Sequence, residues 1–473
     1  MAQTITIEPV TKIEGHAKVT IHLDDSGNVA DARFHVTEFR GFEKFCEGRM
    51  LWDMPVITER ACGICPVSHH LASAKACDAV LGAEIPPAAH KLRELMHLCQ
   101  IINSHALHFF FLAGPDLLIG PDADPIQRSV MGLLEADPEL AKKAIRLRQI
   151  AQTGIERIGG RKIHPVTAIP GGMSRPLSHE DRFVMLQEAD EAIELCKLAI
   201  DTAKRLNETY VDIIRTFAAL DTCYVGLVKD GALELYDGDV RVVDPNGQKL
   251  AEFNGADYLK YIGERVEDWS YLKFPFFKGL GWPDGVYRVN GLARLNVADR
   301  ISTPLANEEH KIFKQLGNGR PVRESLYFHY ARTIEMLYAA ERMKELLEDD
   351  EIVSREVRVP VARRAGEGVG VLEAPRGTLF HHYWADDMGK VTRVNLIVAT
   401  VQNNPAMDMS VKQVAKQFIR GGEVREGLLN RVEMAIRCYD PCLSCATHAV
   451  GQMPLVLQLF STNGDLVQEF RRG

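Results

Sequence analysis

The sequence has no apolar run approaching the roughly 18 residues of a membrane span, no basic stripe and no long block of one charge sign. The first absence argues against a membrane-spanning helix. The others argue against a nucleic-acid role, since 56 basic residues stand against 64 acidic ones for a net charge of -8. Ten cysteines in 473 residues are too sparse for a disulfide framework. There is no internal repeat and no low-complexity segment. The opening Met1-Ala2-Gln3-Thr4 lacks the charged and then apolar pattern of an export signal, which predicts a cytoplasmic protein. The length fits about three ordinary domains or one large multilobed body, and 46% hydrophobic residues supply a substantial core.

What is there is concentrated at the two ends. Cys62-Gly63-Ile64-Cys65 and Cys442-Leu443-Ser444-Cys445 are thiol pairs with two intervening residues, followed by His69 and His448. On a helix or tight turn this spacing turns both sulfurs to one side, so each pair can grip one metal ion and the two together make a four-thiolate site. Three readings stay open on spacing alone. Zinc ribbons close their pairs over about 15–20 residues, whereas nearly the whole chain separates these. Dithiol redox pairs open a helix after an isolated strand, which neither pair does convincingly. A catalytic site of soft metals suits thiolates and ranks level with structural zinc. The other six cysteines (Cys46, Cys77, Cys99, Cys196, Cys223, Cys438) are scattered and read as small buried hydrophobes.

Along the chain, alternation predicts strands over 4–7, 17–23 and 29–39, with a hairpin turn at 24–28. Between the first two lies Glu14, whose bland reading is a loop charge pairing with Lys12. Helical periodicity covers 88–113 and is expected to stop at Gly114-Pro115, with Asp116 as a cap. His90, His97, His105 and His108 on this segment share no clean stripe and read as packing residues. Further helices are predicted over 138–158, 178–217, 308–316, 324–347, 409–419 and 424–438, the second in a central bundle. The Gly/Pro segment 159–172 reads as a tight turn because it lacks the lysine-serine ending of a phosphate loop. Strand-like patterning over 223–253 predicts a small inserted sheet, and 394–401 an apolar strand. Pro375 fixes the backbone beside Arg376. The tail alternates as a hairpin over 453–460 and 465–470. The fold class is mainly α with small peripheral β-sheets (α+β), a large multilobed body around a helical bundle.

Arg60-Ala61-Cys62-Gly63-Ile64-Cys65-Pro66-Val67-Ser68-His69 and Asp440-Pro441-Cys442-Leu443-Ser444-Cys445-Ala446-Thr447-His448 resemble the two metal motifs of the catalytic large subunit of nickel-iron hydrogenases, and the resemblance covers essentially the full length. Ala61 departs from the branched residue many relatives carry, which touches packing and not ligation. Residues 8–16 and the stretch Trp269-Ser270-Tyr271-Leu272-Lys273-Phe274-Pro275 look most like the cytoplasmic, bidirectional, NAD-linked subgroup.

The resemblance implies nickel held by all four thiolates, with Cys62 and Cys442 terminal and Cys65 and Cys445 bridging to an iron that carries carbon monoxide and cyanide. The implied reaction is reversible heterolytic cleavage of H2. Cys442 is the implied first proton acceptor and Glu14 the next. Arg376 orients, with Asp116 and Asp440 pairing to it, and Pro375, Arg376 and Thr400 surround the iron's diatomic ligands. A second metal ion, magnesium or iron, is implied at Glu43, the Leu396 carbonyl and His448. Residues 1–448 form one body, with a hairpin region over 1–45 and the inserted sheet near 223–253. Residues 449–473 form an extension that a maturation protease removes once nickel-insertion factors have loaded the metal. The implied partners are a flavin-containing, NAD-reducing module and a small iron-sulfur subunit, which carry the flavin, NAD and iron-sulfur sites. The alternatives are a zinc or soft-metal structural subunit of a redox complex, and a non-catalytic relative that has lost the metal cysteines; all four are present here.

Overall fold

The computed structural model describes residues 3–39, 41–446, 455–461 and 465–472. Its centre is the helix Tyr327–Glu348, whose buried residues fall on every face, from Tyr327 and Phe328 to Leu346 and Leu347. A helix apolar all round belongs inside a bundle. It packs on Pro87–Ala106 and on the long helix His179–Thr209. The latter buries one stripe, Met185, Ala189, Ala192, Cys196, Ala199 and Ala203, so it flanks the bundle and does not form its axis. Its start is set by the Ser178 side chain, which accepts the Asp181 amide at 3.0 Å. Pro138–Gly159 closes the other side of Pro87–Ala106.

Three sheets of three or more strands surround this core among the described residues. Thr4–Ile7, Ala17–Leu23 and Val29–Val36 form an antiparallel meander with alternating burial, as the pattern predicts. The inserted sheet is built on Cys223–Lys229, Asp239–Val243 and Lys249–Phe253. Its first strand is buried almost throughout, and its last is the more exposed edge. The third sheet, Gly366–Ala374, Gly377–Ala385 and Val391–Ile397, packs on the helix Pro66–Leu81. Residues 159–172 end in the two-residue strands Ala168–Ile169 and Gly172–Met173, the tight turn expected. The hairpin of the tail is present as Leu455–Phe460 paired with Leu466–Arg472, with its turn residues 462–464 outside the described residues.

Several boundaries differ from the sequence reading: the strand expected to reach 39 ends at Val36, the helix expected to reach 217 ends at Thr209, and the helix expected from 308 starts at Pro304. The helix predicted over 88–113 does not stop at Gly114-Pro115. It widens into a π-helical segment, Leu107–Ala113, and continues as Gly114–Leu118. The wider turn accepts a residue without an N–H, which a regular α-turn does not. The apolar strand over 394–401 ends at Ile397, and the helix Ala399–Phe418 starts ten residues before the expected 409. Asn403, Asn404 and Pro405 have low helix propensity, yet the side-chain oxygen of Asn403 accepts the Val289 amide at 2.9 Å, so tertiary contacts override the local preference. Among the described residues no helix is long and apolar enough to cross a membrane.

Candidate metal centre

Cys62 leaves a short helical turn in an extended conformation, and Cys65 immediately precedes the helix Pro66–Leu81. The Ile64 and Cys65 amides donate to Cys62 Sγ at 3.2 and 3.3 Å, so the intervening residues fold into a tight turn around the first sulfur. Cys445 sits on the short helix Leu443–Ala446, directly after Cys442. The two pairs meet: Cys62 Sγ is 3.2 Å from Cys442 Sγ and Cys65 Sγ 3.8 Å from Cys445 Sγ. All four sulfurs lie within 4.8 Å of one another, each on a buried residue.

The N-terminal loop joins them. The Glu14 amide donates to the Pro441 carbonyl at 3.4 Å, the Leu443 amide to the Glu14 carbonyl at 3.1 Å, and the Ser444 amide to Glu14 Oε2 at 3.1 Å, with the Ser444 hydroxyl on Oε1. Glu14 is therefore no loop charge paired with Lys12. Lys12 is bound to Asp116 instead. Gly15 sits at φ +88°, and a Cβ there would lie 2.7 Å from Leu443 Cβ, so the close approach of the loop to the second cysteine pair requires glycine.

Four buried thiols cannot all ionise without a compensating cation. Hydrogen bonds from Cys442, Cys445 and Cys62, with a smaller one from His69, hold the Cys65 thiol well below its ordinary value, while burial pushes Cys442 and Cys445 well above theirs. Four sulfurs gathered in this way, once a bound cation favours their ionisation, form a donor set for soft or borderline metals.

Over the sulfurs lies a small cavity lined by Cys65, His69, Pro375, Arg376, Thr400, Cys442 and Cys445, among others. The turn that carries Arg376 joins two strands of the third sheet. Arg376 donates from Nε to the Asp440 carbonyl at 2.6 Å and from Nη2 to Asp440 Oδ1 at 3.1 Å, while its Nη1 is buried without a partner. Although burial disfavours its charge, Asp440 and the cysteine thiolates hold the guanidinium protonated, with its pKa well above the ordinary arginine value. Thr400 Oγ1 accepts the Cys442 amide at 2.9 Å and keeps its own O–H as a donor.

Asp116 does not pair with Arg376 among the described residues. It binds Lys12 and Arg437, with Arg128 at 3.5 Å. Arg437 Nε in turn donates to the Thr11 carbonyl at 3.1 Å. The π-helical continuation carries Asp116 away from Arg376 and into a cage that fixes the loop bearing Glu14. Glu43 Oε1 accepts the Leu396 amide at 2.7 Å, so these two residues adjoin; His448 lies outside the described residues. His97, His105 and His108 are bound to the Glu373 carbonyl, Glu335 and the Arg437 carbonyl at 2.8–2.9 Å, and His90 to Asp237. They are network residues and take no part in the cysteine cluster, as expected.

Sequence reasoning missed His381 and Tyr383. His69 Nδ1 is 3.1 Å from His381 Nε2, and His381 Nδ1 is 2.6 Å from the Tyr383 hydroxyl, which is 2.9 Å from Ser73 Oγ. The available signal was the i, i+4 spacing of His69 and Ser73 on a helix and the i, i+2 spacing of His381 and Tyr383 on a strand.

Comparison with known proteins yields one family. Residues 40–147 and 234–448 match the profile described as "Nickel-dependent hydrogenase", and residues 4–39 one described as "HoxL-like". The chain is similar to a subunit of the F420-non-reducing hydrogenase vhu of Methanococcus voltae, at 52% identity over 88% of this chain and 99% of the relative. It is similar to the NAD-reducing hydrogenase HoxS subunit beta of Cupriavidus necator, at 44% identity with both chains fully covered. A solved NAD+-reducing [NiFe]-hydrogenase in the H2-reduced state superimposes with a TM-score of 0.92 at 46% identity, covering 94% of this chain and 99% of that one.

Proposed function

This chain belongs to the nickel-dependent hydrogenase family and is the catalytic subunit of a hydrogenase; from that premise we propose that Cys62, Cys65, Cys442 and Cys445 hold a nickel-iron centre at which H2 is cleaved reversibly and heterolytically. The observation that carries this reading is the gathering of four buried sulfurs within 4.8 Å from cysteines 380 residues apart.

The residues fit the group. All four thiolates would hold nickel, with Cys65 and Cys445 also offering their sulfurs to an iron that would carry carbon monoxide and cyanide. Those diatomic ligands need donors in a dry pocket, and the buried, unpartnered Nη1 of Arg376 supplies one in the cavity over the sulfurs, with the Thr400 hydroxyl and the Pro375 turn beside it. Bound there, the centre supplies the electron-rich metals that polarise and split H2. Cys442 Sγ accepts the proton and the Glu14 carboxylate carries it on, because Glu14 is hydrogen-bonded into the loop that carries Cys442. Asp440 fixes Arg376, and Asp116 acts one step further out by fixing the Glu14 loop through Lys12 and Arg437. Burial around the sulfurs excludes water from the reacting atoms.

A second ion, magnesium or iron, would be held by Glu43, the Leu396 carbonyl and His448, a reading supported by the nearness of the first two residues, whose contact runs from the Leu396 amide to Glu43 Oε1. Residues 449–473 are an extension removed by a maturation protease after nickel insertion, a reading supported by the family match ending at residue 448. Residues 1–448 act as one body. Electrons leave through a small iron-sulfur subunit, because the remaining six cysteines form no metal-binding cluster among the described residues. They reach NAD through a flavin-containing partner in the cytoplasm, a reading supported by the NAD+-reducing structure. A second reading of the carrier is favoured by the F420-non-reducing relatives, which include the 52% identical one.

The test is metal analysis and infrared spectroscopy on the complex purified with its partners, followed by H2-dependent reduction of NAD. Nickel and iron with carbonyl and cyanide bands are expected. Zinc alone would return the four thiolates to a structural role, and a nickel-iron centre that reduces other carriers and not NAD selects the second reading.

A further inference from the structure

The short helix Gly291–Val297 holds both chain segments that carry the Arg376–Asp440 pair. Its Arg294 is fully buried, and every N–H of the guanidinium is engaged. Nε donates to Glu335 Oε1 at 2.5 Å and Nη2 to Glu335 Oε2 at 2.7 Å. Nη1 donates to Glu373 Oε2 and to the Ala374 carbonyl, both at 2.8 Å, and Nη2 also reaches the Pro375 carbonyl at 3.3 Å. One planar fork thus grips the three successive residues that lead into Arg376. Its far side is anchored in the bundle, because Glu335 lies on the central helix Tyr327–Glu348 and also accepts His105 Nε2 at 2.9 Å. From the other flank of the turn, the Thr378 hydroxyl donates to Glu373 Oε1 at 2.7 Å.

The same helix begins after Asn290, whose Nδ2 donates to the Tyr439 carbonyl at 3.0 Å while its Oδ1 accepts the Gly291 amide at 2.6 Å. Tyr439 precedes Asp440, which stands at φ +52°, a left-handed conformation that a residue with a side chain keeps only with support from its surroundings. Both members of the pair are therefore held at the backbone from one short helix.

Charge alone does not account for Arg294. A lysine would also place a cation between Glu335 and Glu373, but three donors on one nitrogen cannot serve two carboxylates and two carbonyls spread around a plane. What the arginine adds is the simultaneous hold on the carbonyls of Ala374 and Pro375, which sets the direction in which the next side chain leaves the turn. That side chain is Arg376, with Nε and Nη2 committed to Asp440 and Nη1 buried without a partner.

We propose that Arg294 and Asn290 are positioning residues: through the carbonyls of Ala374, Pro375 and Tyr439 they hold Arg376 and Asp440 at one mutual geometry, which gives the unpartnered Nη1 a single aim into the cavity over the sulfurs. The inference rests on the nickel-iron centre proposed above. Neither residue lines the cavity, so both act at one remove. A displacement of about 1 Å passed on in this way costs about 10²-fold in rate.

The experiment is infrared spectroscopy and nickel analysis on the holo complex carrying Arg294→Lys, with Arg93→Lys as the comparison. Arg93 is an equally buried arginine, bound to Asp78 Oδ2 at 2.6 Å and to the carbonyls of Ile169 and Gly172 at 2.8 and 2.9 Å, and none of these residues lines the cavity. In the nickel-loaded fraction of Arg294→Lys the cyanide bands are expected to be displaced or broadened, because Arg376 no longer donates from one position. Turnover of H2 per nickel is expected to fall about 10²-fold with KM unchanged. Loaded Arg93→Lys is expected to keep wild-type bands whatever its loss of stability. Wild-type bands in loaded Arg294→Lys overturn the inference, as do equal displacements in both variants. If Arg294→Lys does not assemble, Asn290→Gly decides, since glycine adopts the φ of +85° found there and loses only the side chain. Displaced cyanide bands in its loaded fraction support the inference, and wild-type bands overturn it. Wild-type complex without any diatomic bands sinks the nickel-iron reading itself, which keeps the two failures distinct.

Discussion

Glu14 shows how much a single carboxylate depends on residues far away in the chain. In the sequence it is one acidic residue between two strands, and its partners Ser444 and Leu443 lie some 430 positions on. We expect Glu14→Gln to lower H2 oxidation by about 10²- to 10⁴-fold, the range for a lost proton-transfer group. Glutamine still accepts the Ser444 amide, so nickel content should be unchanged, and near wild-type turnover in a nickel-loaded variant would remove Glu14 from the proton path. The four cysteines are the opposite case, legible from spacing because thiol pairs have few other uses. His381 and Tyr383 were not legible, since a histidine and a tyrosine in a buried strand are ordinary core residues until the helix that faces them is known.

Elements hold these residues in place. The turn carrying Arg376 is tight because Gly377 adopts φ +128°, and a Cβ there would lie 2.3 Å from Val289 Cγ2. Gly377→Ala should displace the turn, destabilise the protein by about 1–3 kcal/mol and lower the occupancy of the metal site, as thermal unfolding and nickel analysis would show; an unchanged melting temperature would mean the turn relaxes freely. The helix Ala399–Phe418 is tied to the N-terminal meander by Asp408, which accepts the Phe34 amide at 2.8 Å. Burial raises the Asp408 carboxyl to about 6 from an ordinary 3.8, with the Phe34 hydrogen bond opposing. A group that holds its proton more tightly when folded contributes stability below its unfolded pKa and loses it as pH rises through the folded one. Stability of the wild type relative to Asp408→Asn should therefore fall between about pH 4 and 6.5, by about 2–3 kcal/mol on the scale of 1.36 kcal/mol per pKa unit. A pH-independent difference in denaturant unfolding would contradict this. The early start of this helix was missed because low local helix propensity yielded to a hydrogen bond from a distant segment, and the passage through Gly114-Pro115 because the π-helical turn accommodates the proline.

At the scale of the whole molecule, the metal site is where the chain closes. Cysteines 380 residues apart join the two ends of the fold, and metal binding there would stabilise only the state in which both ends are docked. Metal loading should thus slow proteolysis of the segment around Cys442 and of the loop 11–16, relative to metal-free protein, more than it slows cleavage elsewhere. Equal protection across the chain would show that the two ends dock without the metal.

The sequence by itself determined the two cysteine pairs, the family through the motifs around them, the helical core with small sheets and most element positions, because motifs and periodicity are local properties of the chain. Only the tertiary structure decided that Glu14 is held by Ser444 and Leu443 and not by Lys12, that Asp116 fixes the Glu14 loop and does not pair with Arg376, and that His381 and Tyr383 stand behind His69. Those assignments are contacts between segments far apart in sequence, and which partner a buried polar atom finds is set by packing.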